Sequence, residues 1–121
     1  MERYEKRLKE LESMEEGWYG GEGAKISETS LRLTREILPQ VLSTFKEVYI
    51  FPTISGFVQL EGDHRGDLSY VIEIESETRI NVSILKCVEF KVNEFTTSLS
   101  EIKNDELQKQ LNNESAFVGV E

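Results

Sequence analysis

Between residues 68 and 84, apolar side chains recur at every second position, twice in succession. Leu68, Tyr70, Ile72 and Ile74 alternate with Ser69, Val71, Glu73 and Glu75, and Ile80, Val82 and Ile84 resume the pattern after Ser76-Glu77-Thr78. A period of two sets one series on a single side of a pleated strand, so these residues call for an antiparallel pair with one buried face. A slip of one residue would turn every side chain over, so even-numbered positions must face even-numbered positions. Ile74 opposite Ile80 meets that condition, sets Ile72 against Val82 and Tyr70 against Ile84, and places Glu75 across from Arg79 on the solvent side. The same parity runs on through Val88, Phe90 and Val92. It extends this strand to residue 92, with Lys86 as its one polar intruder and Cys87 as a structural thiol within it.

Two further strands precede this pair, over Val48 to Pro52 and Phe57 to Glu61, with a turn between them. Gly62-Asp63-His64-Arg65-Gly66-Asp67 reads as a loop. Tyr4, Leu8, Leu11 and Met14 make a narrow stripe on a helix over 2–15, supported by the pairs Glu2–Lys6 and Glu5–Lys9. A second helix opens at Ser27, where Ile26 and Leu31 can form a hydrophobic staple. Its apolar set (Leu31, Leu33, Ile37, Leu38, Val41, Leu42, Phe45) is too wide for one seam, so this helix is central. Pro39 kinks or stops it. Ser98-Leu99-Ser100-Glu101 is a capping box that opens a last helix to about Leu111, with Leu99, Ile102, Leu107 and Leu111 inward. Residues 115–121 read as a flexible tail. The expectation is one α+β domain over 1–121, in the order α-α-β-β-β-β-α. Its four-stranded antiparallel meander is covered on one face by two N-terminal helices and one C-terminal helix.

Charge narrows the partners. Nine acids and eight bases lie up to Lys46, and fourteen acids against six bases lie after it, so the net of -9 belongs almost wholly to the sheet half. That balance disfavours nonspecific contact with nucleic acid or anionic membranes. No apolar run approaches the roughly 18 residues of a membrane helix, and the charged start has no signal-peptide core behind it, so the cytoplasm is the expected compartment. One histidine and one cysteine make a metal centre or a cofactor an unexpected feature.

Three constellations could carry chemistry. In Gly17-Trp18-Tyr19-Gly20-Gly21-Glu22-Gly23-Ala24, Trp18 and Tyr19 could stack on a flat ligand. N–H groups near Ser27 and Glu28 would then receive an anion, with Lys25, Arg32 and Arg35 close in sequence. The competing reading makes Trp18 a plug between helices and sheet. Glu61 and His64 offer an acid and a base, but no nucleophile accompanies them and the spacing fails the calcium-loop pattern. Glu73, Glu75 and Glu77, with Glu61 and Glu89 on flanking strands, form an acidic sheet surface that would attract a basic partner.

Gly17-Trp18, Gly20, Gly23-Ala24, Ile26-Ser27, Pro52, Gly56 and Leu60-Glu61 together resemble a widespread set of small bacterial and phage-associated proteins without an assigned activity. The likeness covers residues 8 to 75. It departs from the pattern at Tyr19, where an acid often stands, and at Gly62, where an aromatic often follows Leu-Glu. The resemblance implies a bacterial or phage lineage and carries no catalytic residue with it. The expected function is that of a non-enzymatic interaction protein, an inhibitor, antitoxin or anti-defence factor. It would sequester a partner with a basic surface through its acidic sheet half, with Tyr19 or Phe57 as anchors. A small-molecule or nucleotide sequesterer built on the Trp18 loop is the alternative, and a hydrolase on Glu61 and His64 ranks last. Oligomeric state stays open, a homodimer included.

Overall fold

The two alternating segments pair as their parity requires. In the computed structural model, which describes residues 1–64 and 66–120, β3 (Leu68–Ser76) and β4 (Arg79–Lys86) run antiparallel. Ile74 lies opposite Ile80, Ile72 opposite Val82 and Tyr70 opposite Ile84. A bulge after Ile74 sets Ser76, not Glu75, across from Arg79, and the connection shortens to Glu77-Thr78. Glu75 still reaches the Arg79 guanidinium at 3.4 Å.

The sheet holds six strands where four were expected. β1 (Tyr49–Pro52), β2 (Val58–His64), β5 (Lys91–Thr97) and β6 (Val118–Gly119) extend it into an antiparallel meander in chain order. The strand expected to run from 80 to 92 breaks at a turn over 87–90, in which Phe90 takes a left-handed φ of +54°. Cys87 is consequently exposed rather than built into a strand. The expected tail folds back as a 3₁₀ turn (Glu114–Ala116) and β6, because Phe117 is buried and the Lys86 ammonium sits 4.4 Å over its ring. β2 also takes up Gly62, Asp63 and His64, which read as loop in the sequence. Glycine suits position 62 because a Cβ there would run into the Glu47 carbonyl oxygen, the same atom that accepts from the Tyr70 hydroxyl. Arg65 of that expected loop and Glu121 of the expected tail lie outside the described residues.

Helix α1 (Glu2–Glu12) stops short of residue 15, and α2 (Glu28–Thr44) runs straight through an exposed Pro39. Ser27 caps α2 by accepting from the Ser30 N–H, and Ile26 and Leu31 are both buried, as a staple requires. The single C-terminal helix divides into α3 (Leu99–Lys103) and α4 (Glu106–Leu111), with Asp105 left-handed between them. In an unbroken helix, Ile102 and Leu107 would point about 140° apart at 100° per residue. The break resets the phase and both are buried.

The helices cover one side of the sheet, where Val58, Leu60, Ile72, Ile74, Ile80, Val82 and Ile84 meet Leu31, Leu33, Ile37, Leu38 and Val41. Ser30 joins the layers: its hydroxyl accepts from Val58 N–H at 2.8 Å and donates to the Ile74 carbonyl at 2.5 Å. At the outer edge of β1, Arg7 Nε donates to the Ile50 carbonyl at 2.8 Å, and Pro52 has no N–H to offer. Among the described residues no helix is long and apolar enough to cross a membrane.

Candidate functional site

The side of the sheet away from the helices follows from the register. One row across it reads Tyr49, Glu61, Val71, Ser83, Glu94; the next reads Phe51, Gln59, Glu73, Asn81, Thr96. A third runs Asp63, Ser69, Leu85, Val92, Val118. Tyr49 is 53% exposed, Phe51 40% and Val118 60%, and none of the core side chains comes from this side. The face is thus aromatic along β1, aliphatic at the β5–β6 corner and acidic between them. A shallow groove of about 480 Å³ crosses it, lined by Gln59, Val71, Glu73, Asn81 and Glu94 among others.

Its carboxylates differ in how they are held. Glu75 accepts from Asn81 Nδ2 at 2.5 Å and pairs with Arg79. Glu61 accepts from Gln59 Nε2 at 2.9 Å. Glu73 and Glu94 have no ion pair among the described residues. These two acids share a face with the aromatics of β1, and among the described residues no cation pairs with their charge.

Sequence reasoning placed Glu61, Glu73 and Glu75 on this face, as found, but not Glu77 and Glu89. Both of those lie in turns and pair with cations there, Glu77 with Arg32 and Glu89 with Lys86 and Lys91. Glu94 and the anchors Tyr49 and Phe51 were missed. Phe57, offered as an anchor, is half-buried, whereas Tyr19 is exposed but stands on the Trp18 loop, not on the sheet. The alternation Tyr49, Phe51 was itself readable, since both fall out of phase with the buried Val48 and Ile50.

The other constellations are built differently from a site. The half-buried Trp18 donates its indole N–H to the Ala24 carbonyl at 2.8 Å and meets Tyr19 edge-on at 5.9 Å. Gly23 lies so close that a Cβ there would sit 2.7 Å from Cε2 of the indole. The Ser27 N–H donates to the Gly56 carbonyl and its hydroxyl is used by the cap. Arg32 is engaged by Glu36 at 2.7 Å and Glu77 at 3.0 Å, and Arg35 by Glu5 at 2.9 Å. Hydrogen bonding from Arg35 holds the Glu5 carboxyl below its ordinary range. Lys25 is exposed, with no ion pair among the described residues. The cations near the loop are therefore mostly spent on carboxylates of this chain. Glu61 and His64 point to opposite sides of β2, Glu61 outward and His64 into the core, where its ring meets the edge of Phe45 at 5.9 Å. Among the described residues no group of three or more His, Cys, Asp and Glu side chains is placed to hold a metal. No family model, no curated protein and no solved structure matches this chain.

Proposed function

We propose that this chain is a non-catalytic binding protein that occupies a basic surface of a partner protein with its open sheet face, and so inhibits or sequesters that partner. The observation that carries the reading is the combination on one uncovered face of Glu73 and Glu94, without an ion pair among the described residues, with the exposed Tyr49, Phe51 and Val118. Carboxylates steer association and reject acidic partners, while aromatic and aliphatic side chains at the two ends supply area that desolvates on contact. A rigid sheet presents them at fixed spacing. The resemblance to bacterial and phage-associated proteins fits an inhibitor, antitoxin or anti-defence role in the cytoplasm.

Affinity capture from a bacterial lysate tests this. The immobilised chain should retain a small set of basic proteins at low salt, and Glu61→Lys/Glu73→Lys/Glu94→Lys should lose them. Retention of the same set by the substituted chain would sink the reading.

A further inference from the structure

The two outer strands of the sheet are finished differently. At β1 the outward Ile50 carbonyl is taken by Arg7, and Pro52 interrupts the donors. At the other end β6 covers only Lys91 and Val92 of β5. Which groups of β5 face outward follows from the ladder. Cys87 N–H donates to the Asp67 carbonyl, so odd-numbered residues of β4 bond to β3 and even-numbered ones, Ile80 to Lys86, bond to β5. Their partners there are Thr97, Phe95, Asn93 and Lys91. Glu94 and Thr96 therefore turn their N–H and C=O groups away from β4. The Val120 N–H donating to the Phe90 carbonyl at 2.8 Å gives the same phase independently. Glu94 and Thr96 are exposed, and among the described residues nothing hydrogen-bonds to these outward groups. An open edge of this kind is normally guarded by proline, lysine or a bulge. The open stretch from Glu94 to Thr96 has none of these, and the one charged guard on it is the Glu94 carboxylate.

We propose that the Glu94–Thr96 edge of β5 takes up an extended segment of the partner as a seventh strand, with Lys or Arg beside Glu94 and apolar residues at the alternate positions. The proposal rests on the open face being the partner surface and says how a partner engages it. A strand added about 4.8 Å from β5 sends alternate side chains to the two sides of the sheet. One series would stand next to Glu94 on the open face. The other would lie on the helix-covered side next to Phe95, which is only half-buried there. A second copy of this chain fits less well. Pairing β5 with β5 would join two open faces, each carrying Glu61, Glu73 and Glu94, into one continuous acidic sheet.

The probe is a capped octapeptide of alternating lysine and valine, added to the full chain at low salt and read by amide hydrogen exchange and sedimentation. The Glu94 and Thr96 N–H groups should slow by about tenfold or more when the peptide is present. Thr96→Pro removes one outward donor without touching the β4 ladder and should weaken the peptide about tenfold, whereas Thr96→Ala, which keeps the N–H, should bind as the unsubstituted chain does. If Thr96→Pro does not fold, exchange in the unsubstituted chain decides alone. Peptide binding without protection of these two amides overturns strand addition but leaves the face reading standing, and absence of binding overturns strand addition as well. Protection of both amides in a sedimenting dimer, without peptide, puts a second copy on the edge and overturns the basic occupant. Failure of the face reading shows separately, as lysate capture indifferent to the Glu→Lys substitutions.

Discussion

At the scale of single residues, Ser30 shows how one hydroxyl can lock two layers. It accepts from Val58 N–H and donates to the Ile74 carbonyl in a fully buried setting. Ser30→Ala strands both backbone groups without water, and should cost about 2–4 kcal/mol in urea unfolding. Tyr70 makes a second such link, from the sheet to the Glu47 carbonyl, with its ring stacked 4.0 Å from Phe45. Burial, aided by the nearby Tyr4, Glu47 and Glu61, pushes the Tyr70 hydroxyl pKa well up from its ordinary value. Above about pH 10 the unfolded chain then sheds a proton that the folded chain keeps, so stability falls as pH rises past that point. Tyr70→Phe should be about 1–2 kcal/mol less stable near neutrality, with the gap narrowing above about pH 10 in denaturation followed against pH. Gly23→Ala should lower the melting temperature and red-shift Trp18 emission, since φ is +98° and the new methyl group meets the indole. Such links were not readable beforehand. A serine in the first turn of a helix has the same one-letter identity whether it faces water or two strands.

Whole elements were readable wherever an alternating apolar series marks the buried face. The β3–β4 register followed from parity because Ile72, Ile74, Ile80 and Val82 must share a side. Parity misled at the next turn. Up to the bulge at Ile74, each β3–β4 pair sums to an even number, and each β4–β5 pair sums to an odd one, so Val92 lies on the open face although Ile84 lies in the core. Val88, Phe90 and Val92 thus imitate a continuing core stripe while none of them enters the core, and that hid the turn, β5 and Glu94. A helix interior holds the other ambiguity. Pro39 lacks the N–H that would bond the Arg35 carbonyl, yet α2 passes through because the apolar side chains around it are buried against the sheet. With packing overriding propensity at an exposed position, Pro39→Ala should stabilise the chain by about 1–3 kcal/mol, seen as a higher urea midpoint at unchanged slope. The C-terminal hook works the opposite way. Phe117→Ala removes the buried ring that anchors β6 beneath Lys86, and should cost about 3 kcal/mol and speed exchange at Val92.

For the molecule as a whole, the open sheet face poses a physical conflict. Glu61, Glu73 and Glu94 sit on three strands of one rigid surface, and their mutual repulsion weakens the fold they are displayed on. Some acids elsewhere are neutralised locally: Arg35 bridges Glu5 and Glu12, Arg32 bridges Glu36 and Glu77, and Lys86 holds Glu114. Glu73 and Glu94 have no such pairing among the described residues, and their clustering with Glu61 on one face leaves two cases, a surface kept for a partner or one that is merely solvated. The two cases separate by stability. Glu61→Gln/Glu73→Gln/Glu94→Gln keeps size and hydrogen-bonding capacity while removing three charges. It should raise unfolding free energy by about 0.5–1 kcal/mol at low ionic strength. That gain should vanish near 1 M NaCl, where screening acts within about 3 Å. The same variant should lose its partners in lysate capture at low salt. A substituted chain no more stable than the original at any salt would show that the carboxylates do not repel one another appreciably, and the acidic face would then be ordinary solvated surface.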